Sequence, residues 1–297
     1  PTGVPAPAAI RDDIEALRTR FWLATSVHRD PNNYAYYGDR NGHFFGLWRD
    51  TGANTEAELR LRLDSRGPRQ IFRFSGINGP LGGPETEART FEPRERPWYE
   101  AGQSAPLHTW TSVYIDFRLK ELVATRARRV PDRTGSFHGV VATDLSLRRL
   151  DEFVKRLTLS PNGVALIAEP DGKLIGVSKG PHLLDDGQDQ PQRLFAADSP
   201  DPLVAATFRA IASRPDSQER REPRTADFRM DNGDVIQVGY SRLKDEAGLD
   251  WLLMVAVPRN DFIHKVSQSF RQSLGLGALA AGVVALLGLW ILATIAN

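Results

Sequence analysis

Residues 274–296 constrain this chain most strongly, because they form an uninterrupted apolar run that reads LGLGALAAGVVALLGLWILATIA. None of them is Asp, Glu, Lys or Arg. A helix rises about 1.5 Å per residue, so about 20 apolar residues cross the hydrocarbon core of a bilayer, which is about 30 Å thick. A helix in a soluble core usually keeps a polar stripe, which this run lacks. The run therefore predicts a transmembrane helix in contact with membrane lipid.

The composition of the chain excludes several classes of function. Its 297 residues include 38 basic and 37 acidic residues, a formal net charge of +1, which gives no field for nucleic acid. The chain has no cysteine, so disulfides, thiolate metal sites and cysteine nucleophiles are excluded. The 6 histidines are scattered without metal-ligand spacing, and no phosphate-binding loop is present. We therefore predict no cofactor, no metal ion and no nucleic-acid partner.

The rest of the chain divides into segments with different hydrophobic periods. Apolar residues at three- and four-residue intervals over 8–28 predict a long amphipathic helix, and residues 30–39 (DPNNYAYYGD) predict a turn. A helix over 146–157 links two modules. The predicted domains are an N-terminal helix (1–29), a membrane-distal module (30–157), a membrane-proximal module (158–260), a juxtamembrane helix (261–273) and the transmembrane helix (274–296).

Short runs of alternating apolar and polar residues predict antiparallel strands with one face toward water. In the first module these runs are 43–49, 56–64, 70–76, 108–117, 121–130 and 137–145. The second module repeats the pattern of strands, then a helix, then further strands. The predicted fold class is therefore α+β, with two PAS-like modules, each an antiparallel sheet with helices, between a long N-terminal helix and a C-terminal transmembrane helix.

One set of charged and aromatic residues in the first module has the chemistry of a binding site. An arginine grips a carboxylate through two hydrogen bonds, aromatic rings enclose an ammonium group, and an aspartate pairs with an amine. A small zwitterion needs all of these, because an unpaired buried charge is costly. An aromatic minicore with one structural salt bridge would have the same composition, and the sequence leaves both readings open. The candidates are Arg96, Trp98, Tyr99, Trp110, Tyr114, Asp116 and Asp144.

A second candidate site is the sequence GVSKG at 176–180, which matches the G-x-S-x-G pattern of hydrolase nucleophile elbows. That elbow requires a strand, a sharp turn and then a helix, which together expose the serine hydroxyl. The residues after Gly180 predict a loop instead of a helix. This favours the edge of a hairpin over a nucleophile elbow at 176–180. A membrane-anchored serine hydrolase that uses Ser178 is the alternative function from a different class.

Three motifs together resemble a known family. RPWY at 96–99, WTSVYID at 110–116 and GVVATDLSLRRLDEFV at 139–154 resemble the double Cache sensor domains of bacterial chemoreceptors, sensor kinases and membrane nucleotide cyclases. The resemblance is detailed over 91–157, and elsewhere it concerns only the order of elements. It implies a membrane-distal module that binds a small ligand and a membrane-proximal module that relays the signal.

The resemblance also implies roles for individual residues. In family members that bind amino acids, the first motif holds the carboxylate, and a tyrosine and an aspartate on later strands hold the amino group. By resemblance these roles fall on Arg96, Trp98, Tyr99, Tyr114 and Asp144. Such members usually have a tyrosine five residues before the arginine, where this chain has Phe91. The resemblance therefore leaves an amino acid, an amine and a small carboxylate open as ligands.

The function implied by the resemblance is ligand sensing at a bacterial inner membrane, in a periplasmic or extracellular region without enzymatic activity of its own. We expect a homodimer that passes the signal through the membrane helix to a cytoplasmic output domain outside this segment. A diguanylate cyclase is the favoured output, ahead of an adenylate cyclase or a sensor kinase. A domain that dimerises without binding a ligand is a further alternative.

Overall fold

The three-dimensional structure is a computed structural model. It describes residues 10, 13–26, 33–49, 56–116, 120–184, 191–214 and 223–261. The α-helices of this part are α1 (Ile14–Ser26), α2 (Pro97–Ser104), α3 (Arg148–Arg156) and α4 (Pro202–Ala212). The predicted transmembrane helix 274–296 lies outside the described residues, as does the predicted juxtamembrane helix 261–273 after its first residue.

None of the helices within the described residues is both long enough and apolar enough to cross a membrane.

The first module is built on one antiparallel sheet of nine strands. The strands are β1 (Asn33–Asp39), β2 (Phe44–Arg49), β3 (Glu56–Arg62), β4 (Gln70–Ser75), β5 (Glu85–Thr86), β6 (His108–Trp110), β7 (Tyr114–Ile115), β8 (Leu122–Pro131) and β9 (Phe137–Ser146). They lie in the order β5-β4-β3-β2-β1-β9-β8-β6, and β7 also pairs with β8. β1 is therefore central, between β2 and the long strand β9.

Alternating tyrosines on β1 connect the sheet to a hydrophobic core on each of its faces. Tyr37 belongs to the cluster that includes Leu17 of α1. Tyr34 and Tyr36 belong to the other cluster, which includes Trp98 of α2. Successive side chains of a strand point to opposite faces, so both faces of the sheet are covered. Each fully buried aromatic side chain contributes about 2 kcal/mol through the hydrophobic effect.

The second module repeats the arrangement on a smaller scale. Its sheet consists of β10 (Val164–Ala168), β11 (Leu174–Val177), β14 (Arg224–Arg229), β15 (Val235–Lys244) and β16 (Asp250–Pro258), and a separate pair is formed by β12 (Leu183–Leu184) and β13 (Gln192–Arg193). The order β11-β10-β16-β15-β14 matches β2-β1-β9-β8-β6 of the first sheet, strand for strand. Val204 and Ile211 of α4 are buried with Leu166 and Met254 of the sheet. The predicted fold class of two PAS-like modules is confirmed.

Glycines close the tight turns of the second module. Gly172 follows β10 with φ +94° and Gly233 follows β14 with φ +90°. Only glycine adopts this left-handed conformation without strain, which is why PDG and NG sequences predict hairpin turns here.

Two secondary-structure predictions for the first module, one of a turn and one of a strand, are wrong. Residues 30–39, predicted as a turn, contain β1, because the tyrosine-rich sequence over 34–37 favours a strand and outweighs the turn residues before it. Residues 108–117, predicted as one strand, form β6 and β7 with a break between them. Near this break, Trp110 donates its backbone N–H to Ala247 of the second module, 2.8 Å away. The backbone near the break therefore contacts the second module as well as β8.

The buried pair Glu169–Arg193 lies at the junction between the modules. Glu169 accepts a hydrogen bond from the Val113 N–H (2.8 Å) and forms an ion pair with Arg193. Arg193 donates to the carbonyl of Val113 (2.7 Å). The Trp110 indole donates to Asp245 (2.7 Å) beside them. Both backbone groups of Val113, the residue before β7, are thus bound by the second module.

Replacing Glu169 with alanine should destabilise the fold, because Arg193 then stays buried without its carboxylate partner. Breaking a buried ion pair in this way costs about 3 kcal/mol or more. We expect Glu169→Ala to lower the free energy of unfolding by about 3 kcal/mol, measured by urea denaturation with tryptophan fluorescence. The control is Asp171→Ala, because Asp171 pairs with Lys173 at the surface and such a pair contributes less than about 1 kcal/mol. Equal losses in both variants would contradict the role of the buried pair.

Candidate ligand-binding site

A small cavity in the first module is lined by aromatic and charged side chains from the sheet and from α2. The lining residues are Tyr34, Tyr36, Phe44, Arg60, Arg69, Phe91, Arg96, Trp98, Tyr114, Asp116 and Asp144. Arg96, Tyr114 and Asp116 are half-buried, and we call them the mouth; the other lining residues are buried. The cavity volume is about 30 Å³, about the share of one molecule in liquid water.

The floor of the cavity is a carboxylate held by hydroxyl groups from neighbouring strands. Asp144 of β9 is 6% exposed, and its Oδ1 accepts hydrogen bonds from Tyr36 of β1 (2.6 Å) and Thr125 of β8 (2.6 Å). Tyr114 of β7 donates in turn to the Thr125 hydroxyl (2.7 Å). Hydrogen bonds to an ionised acceptor are short and strong, so this network fixes the carboxylate in place.

Burial keeps the tyrosines of this network protonated. The pKa of Tyr36 lies well above the usual value of 10.0, first because burial disfavours the phenolate and then because the Asp144 carboxylate repels it. The same two causes, in the same order, raise the pKa of Tyr114. Both hydroxyl groups are therefore hydrogen-bond donors throughout the physiological pH range.

Two guanidinium groups lie near the ring of Phe91. The guanidinium carbon of Arg69 is 3.6 Å from the centroid of the Phe91 ring, and that of Arg96 is 5.7 Å from it. Arg69 is 2% exposed and makes two hydrogen bonds with Glu87, of 2.6 and 2.7 Å. The negative face of an aromatic ring attracts such cations. Phe91 therefore acts as an apolar platform for the arginines of the site.

The turn that leads into α2 is held by Glu92. Its carboxylate accepts hydrogen bonds from Arg62 of β3 (2.8 Å) and from the side chain of Arg94 (2.8 Å). Burial alone would raise the pKa of Glu92, but the hydrogen bonds from Arg94 and Arg62 outweigh it and lower the pKa to about 2. Arg96 follows this turn, and Pro97 occupies the first turn of α2, where its missing N–H costs nothing.

Comparison with known proteins relates the chain to chemotaxis receptors, although no protein-family model matches it. The chain is 28% identical over 206 residues to the methyl-accepting chemotaxis protein PctB of Pseudomonas aeruginosa, an alignment that covers 68% of the chain and 28% of that protein. It is 32% identical over 85 residues to the methyl-accepting chemotaxis protein McpG of Pseudomonas putida, which covers 29% of the chain and 13% of that protein. The aligned part is thus less than a third of the length of either relative.

Solved ligand-binding domains of chemoreceptors are similar to the chain in structure. The domain of CtaA from Pseudomonas fluorescens, in complex with L-leucine, is 19% identical with a TM-score of 0.44, over 84% of the chain and 90% of that domain. The domain of PctB from Pseudomonas aeruginosa PAO1, in complex with L-Arg, is 19% identical with a TM-score of 0.44, over 84% of each chain.

Two modules with one strand order, together with the sequence match over 206 residues, agree with the fold that the motifs imply. The chain has the double Cache fold. The resemblance indicated by the motifs at 96–99, 110–116 and 139–154 is confirmed. The curated relatives given above are chemotaxis receptors, so they do not support the expected diguanylate cyclase output.

The cavity of this double Cache domain brings together most of the predicted site residues. Those that line it are Arg96, Trp98, Tyr114, Asp116 and Asp144. They come from α2 and its N-terminal cap, from β7 and the residue after it, and from β9. These segments are far apart in sequence, and the pairing of β7 and β9 with β8 unites them.

Two predicted site residues lie outside the cavity lining. The Tyr99 ring packs edge-on against Trp98 and Phe137, with centroids 5.5 and 6.0 Å apart. Burial, followed by repulsion from Asp39, raises the pKa of Tyr99 to about 12. Trp110 lies at the junction of the modules, where its indole binds Asp245. Tyr99 is thus a core residue and Trp110 a contact between modules.

Six lining residues were not among the predicted candidates. They are Tyr34, Tyr36, Phe44, Arg60, Arg69 and Phe91. The alternation of Tyr34 and Tyr36 is the signal that would have found two of them, had 33–39 been assigned as a strand. Arg60 occupies a polar position in the alternating sequence of β3. Such a position predicts an exposed side chain, yet Arg60 is 3% exposed. No local signal reveals a charged residue on a face that another element covers.

The surroundings of Ser178 contradict a nucleophile elbow. Ser178 follows β11, its hydroxyl accepts a hydrogen bond from the Ala165 N–H (2.8 Å), and its own N–H donates to the Ala165 carbonyl (2.8 Å). Residues 179–184 form bends and the short strand β12 rather than a helix. Ser178 therefore extends a hairpin, and the hydrolase alternative loses its structural basis.

Acid should weaken the turn held by Glu92. Because the pKa of Glu92 falls from 4.5 to about 2 on folding, its ionised form stabilises the fold above about pH 4.5, and this contribution is lost as the pH falls toward 2. We expect Glu92→Gln to lower the melting temperature at pH 7 and to flatten its decrease between pH 5 and 2, measured by circular dichroism. Glu100→Gln in α2 changes an exposed carboxylate and is the control. An unchanged pH slope in Glu92→Gln would refute the prediction.

Proposed function

We propose that this double Cache domain is the extracytoplasmic ligand-binding region of a bacterial membrane chemoreceptor, and that its first module binds a small zwitterion, foremost an amino acid. The observation that carries the proposal is the cavity, where arginine, aspartate and aromatic side chains line one volume. The sequence relationship to methyl-accepting chemotaxis proteins supports the receptor role.

The charges of the lining match the two ends of a zwitterion. Arg96 at the mouth offers a planar fork of donors, which suits a carboxylate group. Asp116 at the mouth and Asp144 on the floor supply negative charge for an ammonium group. Leaving either charge of a bound ligand unpaired in a buried site would cost several kcal/mol. A ligand with both charges therefore fits this lining better than a neutral one.

Aromatic walls complete the proposed site. The rings of Tyr36 and Trp98 meet edge to face with centroids 4.8 Å apart, and Phe44 lies 6.0 Å from Tyr36. Such rings attract an ammonium group through their faces and exclude water from it. The side chain of Phe91 has no hydrogen-bond donor, so in this proposal its contribution is to place Arg96 and Arg69.

Ligand entry requires the mouth to open. A cavity of about 30 Å³ is several times smaller than the sites of about 300 Å³ or more that hold small molecules. We expect Arg96, Tyr114 and Asp116 to separate on binding, since these lining residues are the less buried ones. A ligand then shifts the balance between closed and open arrangements by its difference in affinity for them.

The segment 111–114 is the proposed route from the site to the second module. Tyr114 binds Thr125, which binds the floor carboxylate Asp144. The preceding residue, Val113, is bound through both backbone groups by Glu169 and Arg193. Displacement of Tyr114 by a ligand would therefore move a peptide that the second module holds directly.

The remaining parts of the proposed receptor lie outside the described residues. Residues 274–296 would anchor the domain in the inner membrane, and the segment 261–273 would connect the second module to this anchor. A homodimer and a chemotaxis output, in place of the diguanylate cyclase first expected, complete the proposal.

Binding of an amino acid should stabilise the protein and should depend on Arg96. We expect at least one of the twenty amino acids to raise the melting temperature of the full chain in mild detergent, because a ligand at 100 times its Kd stabilises the folded state by about 2.7 kcal/mol. Isothermal titration calorimetry should then show affinity about 10- to 100-fold weaker in Arg96→Met, because a charge-assisted hydrogen-bond pair is lost.

The matched control for this test is Arg128→Met, which removes an exposed arginine of β8 that does not line the cavity. Wild-type affinity is expected in this variant. If no amino acid, amine or small carboxylate stabilised the wild type, the ligandless dimerisation domain would replace the sensor proposal. Equal affinities in Arg96→Met and wild type would show that Arg96 does not bind the carboxylate of the ligand.

A further inference from the structure

Two buried polar atoms of the cavity lining have no hydrogen-bond partner within the part of the chain that the structure describes. They are the hydroxyl of Tyr34 and the Nε of Arg60. Both residues line the cavity, and their exposures are 7% and 3%. A buried donor without a partner costs free energy, and most buried polar groups of folded proteins are paired. This pair of atoms therefore points to an absent partner.

The sheet places these two side chains next to each other. Arg60 of β3 lies opposite Gly46 of β2, and Gly46 lies opposite Tyr36 of β1. A Cβ atom at Gly46 would stand 2.5 Å from the Tyr34 hydroxyl, so glycine leaves the space that this hydroxyl occupies. The guanidinium carbon of Arg60 is 5.2 Å from the centroid of the Tyr34 ring. The polar group of Tyr34 is thus built into the sheet beside an arginine.

Glu58 holds Arg60 in this position but does not bind the Nε donor of its guanidinium group. The Nη2 of Arg60 donates to the Glu58 carboxylate (2.7 Å), and both residues are buried. Nε can only donate a hydrogen bond, because the guanidinium group has no acceptor. Burial raises the pKa of the Tyr34 hydroxyl, which keeps it protonated and able to donate. The missing partner is therefore an acceptor.

We propose that Tyr34 and Arg60 form a second polar subsite, which receives an oxygen acceptor at the end of the ligand side chain. This inference rests on the proposed function, in which Arg96 and the two aspartates bind the main-chain charges of an amino acid. The ligand is then an amino acid with a side-chain carboxylate or amide, rather than one with an apolar side chain. A site built around buried donors rejects isosteric ligands that lack the acceptor, because the donors stay unpaired.

Isosteric ligands test the subsite on the full chain in mild detergent. L-Aspartate and L-asparagine have the branching of L-leucine, and L-glutamate and L-glutamine are compared in the same way with L-homoleucine, whose side chain branches at the same carbon. In calorimetric titrations of the wild type, we expect an acceptor-bearing ligand of at least one set to bind at least about tenfold more tightly than its apolar counterpart. Preference for the acid over the amide distinguishes a carboxylate ligand from an amide ligand.

Two tyrosine variants test whether Tyr34 causes the preference for acceptor-bearing ligands over apolar ones. Tyr34→Phe removes only the hydroxyl and should reduce the preference for the acceptor-bearing ligand about tenfold while leaving the apolar ligand unaffected. Tyr99→Phe is the matched control, because Tyr99 is 2% exposed and its hydroxyl is also buried without a hydrogen-bond partner among the described residues, but it does not line the cavity. The control should keep the wild-type preference.

The outcomes separate this inference from the proposed function. If the apolar amino acids bind as tightly as their acceptor-bearing counterparts, the subsite is refuted, while amino-acid sensing stands. If the wild type discriminates but Tyr34→Phe discriminates equally well, the subsite does not include Tyr34 and the inference fails. If no amino acid binds at all, the proposed function itself fails.

Discussion

The buried carboxylate of Asp144 is the interaction around which the first module is organised. Its Oδ1 joins three neighbouring strands, because Tyr36 comes from β1, Asp144 from β9 and Thr125 from β8. Thr125 and Asp144 are direct partners in the ladder of β8 and β9. A slip of one residue in this register would turn the carboxylate to the opposite face of the sheet and leave it without these donors. The chemistry of the cavity floor therefore depends on strand pairing across the centre of the sheet.

The same hydrogen-bond network links the cavity of the first module to the second module. Tyr114 connects the floor to β7, and the residue before it is fastened to Glu169 and Arg193. Val113 lies in the break between β6 and β7, at the edge of the sheet, where its backbone N–H and C=O groups bind side chains of the second module. The sequence of this segment, rich in aromatic and β-branched residues, predicts a strand and conceals the break.

Local patterns could predict the parts of the site that depend on one segment at a time. Arg96 and Trp98 flank Pro97, which marks the start of α2, and Asp144 falls in an alternating strand. Tyr34 and Arg60 escaped prediction for another reason. Their burial depends on α2 covering the face of the sheet that they share, and a pattern of alternating charge in β3 indicates exposure instead. The fold class was predictable because strand alternation is repeated many times, whereas the lining depends on which face is covered.

This difference separates two levels of ligand recognition. In the proposed function, the RPWY motif and the aspartates bind the two charges that every amino acid carries, so they would define a general class of ligand. Phe91, where a tyrosine is usual in amino-acid-binding relatives by resemblance, provides a platform for Arg69 and Arg96 rather than a donor. The unpaired donors of the lining come instead from β1 and β3, outside the motif. In the proposed function, selectivity among amino acids therefore lies with strand residues such as Tyr34, and domains with the same motif can differ in ligand wherever these strand residues differ.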